Sequence, residues 1–168
     1  MYNTAITPKI IQVEHVTIRS TRSFTEVKAN LEHQVPKVNE EIGKLRATGE
    51  TERLKQILED GPELSIFLLR DHGSLLRIIG RPSKAVQYEI GNPLTASKMT
   101  RHQLAAALYA PLRVVLYEDE TGGSIFEYDK PSSLFGQYGD EQVSTVARGL
   151  DAALDCALRR AMEESACN

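Results

Sequence analysis

Asp71 and His72 are the adjacent side chains whose types best fit acid–base chemistry. They follow the apolar run 64–69 (LSIFLL), so polar groups stand where a buried strand ends. A histidine titrates near neutral pH and can shuttle a proton, and a carboxylate beside it can tune it. Neighbouring residues of a regular strand point to opposite faces, so direct cooperation needs an irregular backbone. The structural alternative is that Asp71 caps the following turn and His72 bonds to backbone groups.

Three further polar side chains are candidates for binding a ligand. Asn92 lies in a Gly-Asn-Pro turn, where its amide can hold a ligand carbonyl or fix the turn by bonding to its own backbone. Arg113 and Tyr117 share one face of an alternating stretch, which presents a guanidinium and a phenol together. Arg113 can bind a carboxylate or phosphate through two hydrogen bonds, or pair with an acidic residue on a neighbouring strand.

Two other tyrosines, Tyr88 and Tyr128, would join this polar and aromatic face if the strand register allows it. The alternative is that they are core residues, as tyrosines with one apolar side often are. The sequence therefore predicts catalytic roles for His72 and Asp71. It predicts ligand-binding roles for Asn92, Arg113, Tyr117 and Tyr88.

Several other types of site have no signature here. The four histidines are scattered at positions 15, 33, 72 and 102, and the cysteines are at 156 and 167. This spacing predicts neither a metal site nor a disulfide framework. The sequence contains no phosphate-binding glycine loop, no Gly-x-Ser-x-Gly elbow and no Cys–His nucleophile signature. We expect no metal and no cofactor.

The elements that must position these residues include five stretches with the composition and periodicity of β-strands: residues 10–19, 64–69, 84–90, 112–117 and 124–128. The second stretch is continuously apolar, which predicts a central buried strand. The last two flank a turn, EDETGG, which predicts a hairpin. A short helical piece at 74–79 and an interrupted helix at 94–108 lie between strands.

Helix signals flank this run of strands. Ser23 and Glu26 fit a capping box at the start of a first helix. Asp140 is a good N-cap for a long amphipathic helix that follows the last strand. The charged stretch 37–60, divided by Gly49, predicts a helical insertion packed on the domain.

This order of elements predicts the fold class. Strands in a run joined by hairpins imply an α+β fold, with an antiparallel sheet and helices packed on one face, in the order β-α-β-β-β-β-α. A length of 168 residues fits a single domain over residues 1–168.

Four segments, taken in their order, resemble the DUF302 family, a domain of unknown function. They are residues 71–72 (DH), 88–93 (YEIGNP), 110–119 (APLRVVLYED) and 128–131 (YDKP). With the capped first helix, the resemblance covers roughly residues 13 to 160. It implies a fold similar to the half-domain of the TATA-box-binding protein, and a fold carries no function by itself. The chain departs from the family pattern at Ile90, where an aromatic residue is usual, and in the insertion 37–60.

Composition restricts the possible partners. A formal net charge of -3 supplies no positive field for nucleic acid. No apolar run approaches the ~20 residues that span a bilayer. The first five residues lack the pattern of a secretory signal. We expect a cytoplasmic protein with neither nucleic acid nor membrane as a partner.

The function that the sequence favours is small-molecule binding. Acid–base activity of the isomerase, lyase or cyclase type on a small organic substrate is left open. The site would be a cleft between the sheet and residues 71–79 and 91–108. The alternative is a non-catalytic homodimeric interaction protein, because an exposed sheet edge and a long C-terminal helix are natural association surfaces.

Overall fold

The computed structural model describes residues 4–163. The strands are β1 (His15–Ser20), β2 (Ser65–Asp71), β3 (Ala85–Gly91), β4 (Leu112–Glu118) and β5 (Ser124–Asp129). The helices are α1 (Phe24–Gln34), α2 (Glu41–Thr48), α3 (Thr51–Glu59), α4 (His72–Ile78), α5 (Pro93–Thr100), α6 (Pro131–Phe135) and α7 (Glu141–Met162). Two 3-10 helices span Leu104–Tyr109 and Gly136–Tyr138.

The five strands form one antiparallel sheet in the order β1-β5-β4-β3-β2. The predicted α+β class and antiparallel sheet are confirmed. The prediction that the apolar run 64–69 forms a central strand is wrong, because β2 lies at an edge of the sheet.

The run is apolar although it is an edge because another segment covers part of its outer side. The Ile66 N–H donates to the Pro36 carbonyl (2.8 Å), and the Val38 N–H donates to the Ile66 carbonyl (2.9 Å). Further along β2 this cover is absent, and Leu68 is 42% exposed. A continuous apolar run therefore also suits an edge strand that a loop covers at one end.

The core lies on one face of the sheet, beneath α1, α5, α6 and α7. Strand side chains alternate between faces, and those of the covered face are buried: Val86, Tyr88, Ile90, Leu112, Val114, Leu116, Phe126 and Tyr128. Helix α7 meets them with an apolar stripe that includes Leu150, Leu154 and Leu158. Truncating a buried leucine of this kind to alanine typically costs about 2–5 kcal/mol.

Both predicted helix caps are confirmed. The Ser23 N–H donates to the Glu26 carboxylate (3.2 Å) and the Glu26 N–H donates to the Ser23 hydroxyl (3.4 Å), which completes the capping box of α1. The Asp140 carboxylate accepts the N–H groups of Gln142 and Val143, at 2.8 and 3.0 Å, at the start of α7. These bonds satisfy donors that the first turn of a helix leaves without an intrahelical partner.

The predicted helical insertion is also confirmed. Helices α2 and α3 meet at Gly49, whose φ of 75° is left-handed and favours glycine. Leu45 is the one fully buried side chain of these two helices, while Leu54 and Leu58 remain half-buried. The insertion therefore lies against the domain without a core of its own.

One strand boundary differs from the prediction. The first strand begins at His15 rather than at residue 10, because β5 offers partners only as far as Asp129, which pairs with His15. The segment that follows β5 is helical, since Pro131 begins α6 and a 3-10 helix follows it. Proline is favoured in the first turn of a helix, where its missing N–H costs nothing.

Substitution by alanine is expected to have opposite effects on stability at two glycines, because their surroundings differ. A Cβ on Gly73 would lie 2.4 Å from the Ser83 carbonyl oxygen, whereas a Cβ on Gly149, inside α7, would meet no atom within 4 Å. We expect Gly73→Ala to lower the free energy of unfolding by about 1–3 kcal/mol through overpacking. We expect Gly149→Ala to raise it by about 0.5–1 kcal/mol. Urea denaturation followed by circular dichroism measures both, and a stabilising Gly73→Ala would contradict this packing.

Candidate functional site

Asp71 is a helix-capping residue, which is the structural alternative to a catalytic role. Its carboxylate caps α4 by accepting the Ser74 N–H at 2.9 Å. His72 is the first residue of α4, and its side chain is exposed. No hydrogen bond joins the two side chains in the described structure, so the cooperation that the sequence left open is not seen.

Asn92 is likewise engaged in the fold. Its Oδ1 accepts the N–H groups of Leu94 (2.8 Å) and Thr95 (3.0 Å), which caps α5. Its Nδ2 donates to the Pro62 carbonyl at 3.0 Å, which ties α5 to the loop before β2. Both lone pairs of Oδ1 are used by these bonds, and one amide hydrogen stays available to a ligand.

The predicted meeting of these residues in one cleft is wrong. Strands β2 and β3 are antiparallel, so Asp71 lies opposite Val86, while Gly91, next to Asn92, lies opposite Ser65. Strands of this length separate their ends by about 20 Å, at about 3.4 Å per residue. Asp71 and His72 therefore stand at one end of the sheet and Asn92 at the other.

Arg113 and Tyr117 share a sheet face, as predicted, but Tyr88 and Tyr128 do not join them. Tyr88 pairs with Val114 and lies in the core, 0% exposed, where its hydroxyl donates to the Glu32 carboxylate (3.1 Å). Burial, and then the Glu32 charge, raise the pKa of Tyr88. Burial raises the pKa of Tyr128 to about 12. The suggestion that these tyrosines extend the polar face is therefore wrong.

The sheet face opposite the core, here called the open face, carries a hydrogen-bonded group that the sequence did not predict. His15 Nδ1 lies 2.9 Å from Asp129 Oδ1, and His15 Nε2 lies 3.2 Å from Glu127 Oε2. The Tyr117 hydroxyl donates to Glu127 Oε1 at 2.6 Å. We call these four side chains the open-face quartet.

The electrostatics of the quartet favour a protonated histidine. Hydrogen bonds to Asp129 and then Glu127 raise the pKa of His15. The hydrogen bond from Tyr117, and then that from His15, lower the pKa of Glu127. Both imidazole nitrogens face carboxylates, so neither presents a free lone pair to a substrate. The quartet is a hydrogen-bonded network that favours the protonated form of His15, rather than a poised general base.

A cavity of about 390 Å³ opens between the insertion, α5 and the adjoining ends of β3 and β4. Its lining is mainly apolar and includes Ile42, Leu54, Leu58, Phe67, Met99 and Phe135. The polar side chains of the lining are Arg46, Asn92, Thr95, Ser97 and Thr100. Arg46 is the one ionisable group among these described lining residues.

The fold builds this cavity from distant segments. Phe67 enters it where the pairing of β2 with β3 shifts register, and such a bulge re-aims a side chain. A second cavity, of about 540 Å³, lies on the other side of the insertion and shares Ile42, Leu58, Asn92 and Pro93 with the first. Space on both sides explains why the apolar side chains of α3 remain half-buried.

Sequence reasoning missed Arg46 and the partners of Tyr117. The apolar stripe of α3 was a usable signal, since Leu54 and Leu58 line the cavity, but a stripe does not reveal whether its contact is complete. The alternation along each strand indicates which face of that strand carries His15 or Glu127, but not which strands are neighbours. Only the long-range pairing of β1 with β5 brings those faces together.

Metal ligation and membrane insertion each require features that can be looked for in residues 4–163. Within residues 4–163, no group of three or more His, Cys, Asp or Glu side chains could hold a metal ion. Over the same residues, no helix has the length and hydrophobicity needed to cross a bilayer. Cys156 is a free, exposed thiol, and Cys167 lies outside the described residues.

The quartet predicts a pH dependence. The raised pKa of His15 gives stability that is present below its ordinary pKa of 6.5 and is lost as pH rises through the folded value. The lowered pKa of Glu127 gives stability present above 4.5 and lost as pH falls through the folded value. We expect an NMR titration of the His15 ring to have its midpoint above 6.5.

The variant Asp129→Asn should move this midpoint down, because it removes the larger of the two causes of the shift. Asp155→Asn is the control, since Asp155 pairs with Arg159 on α7. A midpoint that Asp129→Asn leaves unchanged would contradict the hydrogen bond between His15 and Asp129.

The chain is similar in sequence and in fold to known proteins. The model described as "Domain of unknown function DUF302" matches residues 49–161, which is more than half of the 168 residues. A crystal structure of an uncharacterized conserved protein DUF302 from Bacillus stearothermophilus is similar, with a TM-score of 0.63 and 20% identity over 88% of this chain and 97% of that chain. At this identity the likeness shows the fold alone. No curated protein matches. The chain belongs to the DUF302 family.

Proposed function

We propose that this protein binds a small, mainly apolar organic molecule in the cavity between the insertion and α5. The observation that carries the proposal is the cavity itself, whose 390 Å³ lie within the roughly 300–1,000 Å³ usual for ligand sites. Such sites combine an apolar lining with a few polar groups that fix the orientation of the ligand. The lining described above has this composition.

The cavity favours binding over acid–base catalysis. Its described lining contains no His, Asp, Glu, Lys, Cys or Tyr side chain. The guanidinium of Arg46 stays protonated at any ordinary pH and exchanges no proton with a substrate. Of the site residues predicted from the sequence, Asn92 alone lies in the lining, while His72, Arg113 and Tyr117 lie elsewhere.

The insertion is incompletely packed, so a bound ligand would bury apolar surface that is now exposed to water. Leu54 and Leu58 line the cavity and are only half-buried. A ligand that covers them removes further apolar surface from water, at about 25 cal/mol per Å². Binding therefore adds burial that the insertion lacks in the empty protein.

A cavity-filling variant tests the proposal. Ala96 lies on α5 and lines the cavity, so Ala96→Leu places a larger side chain where a ligand would lie. We expect calorimetric titration of the full chain with 1-octanol to give saturable binding that Ala96→Leu abolishes. Ala29→Leu, on the exposed side of α1, should bind as the original chain does. Absence of binding to the original chain, or normal binding to Ala96→Leu, would refute the proposal.

A second candidate function is homodimer formation. Leu75, Ile78 and Ile79 are 60%, 80% and 74% exposed. They follow the three- and four-residue spacing that places side chains on one side of a helix. Apolar side chains grouped on a surface mark interaction sites more often than single ones do. This group is the observation that favours the dimer.

Light scattering tests the dimer. We expect a mass of twice 18.7 kDa, and we expect Ile78→Asp to reduce it to that of the monomer. Leu104→Asp is the matched control, because Leu104 is 82% exposed and lies outside the group on α4. A monomeric original chain, or a dimer that Ile78→Asp leaves intact, would exclude this interface.

A further inference from the structure

We infer that the cavity selects an anionic amphiphile, an aliphatic chain that ends in one carboxylate, and that Arg46 binds the carboxylate. This inference rests on the proposed function, since it names the class of ligand for the same cavity. It depends on three features: the charge of the lining, the state of Arg46 and the direction in which polarity changes along the cavity.

The charge of the lining is positive. Arg46 supplies one positive charge, and no Asp or Glu side chain belongs to the described lining. An anion gains from this arrangement and a cation loses, because like charges repel at short range. The cavity therefore discriminates by charge as well as by hydrophobicity.

Arg46 is available to a ligand. Arg53, the other arginine of the insertion, forms an ion pair with Glu41. Among residues 4–163, no Asp or Glu carboxylate oxygen lies within 4.0 Å of an Arg46 side-chain nitrogen, so Arg46 has no ion-pair partner there. A guanidinium has five N–H donors in a planar fork, and this fork matches a carboxylate through two parallel hydrogen bonds.

The other polar groups are less suited to select an anion. The Asn92 amide already bonds to Leu94, Thr95 and Pro62. The Ser97 hydroxyl donates to the Leu94 carbonyl at 2.7 Å. Uncharged hydroxyls give weaker hydrogen bonds to a carboxylate than a guanidinium does. Arg46 is therefore the main recognition group.

Polarity changes in one direction along the cavity. Met99, Leu112 and Phe135 are 1%, 4% and 0% exposed and form an apolar floor. Arg46 is exposed and stands at the mouth. A ligand with an apolar body and a charged end fits this gradient, with the body on the floor and the charge at the mouth.

The size of the cavity sets the length of the chain. The cavity has a volume of about 390 Å³. Because a water-sized group occupies about 30 Å³, the cavity holds a ligand of on the order of ten such groups. Each buried methylene is worth about fourfold in affinity. Octanoate should therefore bind about sixteenfold more tightly than hexanoate, because both chains fit inside.

The experiment is calorimetric titration of the full chain at pH 7.5 with hexanoate, octanoate, 1-octanol and octylammonium. We expect octanoate to bind about tenfold more tightly than 1-octanol, as a charged hydrogen-bonded pair at a partly exposed site would give. Added salt should weaken the binding of octanoate and leave that of 1-octanol unchanged.

Variants of the insertion isolate the role of Arg46. Arg46→Gln should weaken the binding of octanoate about tenfold and leave the binding of 1-octanol unchanged. Arg46→Lys should retain part of the preference for octanoate over 1-octanol, because it keeps the charge. Lys44→Gln is the matched control. It removes one positive charge from an exposed position of the same helix, and Lys44 does not line the cavity.

The outcomes separate this inference from the proposed function. Equal affinities for octanoate and 1-octanol, tighter binding of octylammonium, or an Arg46→Gln variant that binds octanoate normally would overturn the inference while the cavity remained a binding site. Failure of 1-octanol to bind would overturn the proposed function, and with it the inference, which rests on that function.

Discussion

The packing of α7 and α1 on a single face of the sheet is the constraint on which the rest of the structure depends. Leu154 and Leu158 of α7 are fully buried together with Leu116 and Phe126 of the sheet. Because strand side chains alternate, burying one set sends the other to the open face. This alternation places Tyr117 of β4 and Glu127 of β5 on the open face, where the Tyr117 hydroxyl donates to the Glu127 carboxylate.

Local chemistry could be predicted from the sequence, because its causes are local. The caps at Ser23 and Asp140 and the alternation of β3 and β4 each depend on a few neighbouring residues. The relative positions of Asp71 and Asn92 were harder to predict, since strand pairing decides them. Two residues that each follow a strand lie at opposite ends when those strands are antiparallel neighbours.

The cavity could not be predicted, because its walls come from segments far apart in the chain. The wall formed by α2 and α3 meets α5 across a gap, and the hydrophobic pattern of a helix does not show how completely its apolar side packs. The family match begins at residue 49. Ile42 and Arg46 precede it, so part of the cavity lies outside the region by which the family is recognised.

The strand-like contact of residues 36–38 with β2 limits how the sheet can be extended. Ile66 gives both its backbone donor and its backbone acceptor to this segment, so a strand from another molecule finds neither group free there. Edge strands with unpaired backbone groups are templates for uncontrolled polymerisation. At this end of β2, growth of the sheet by addition of a further strand is blocked, and any ordered assembly there must use side chains instead.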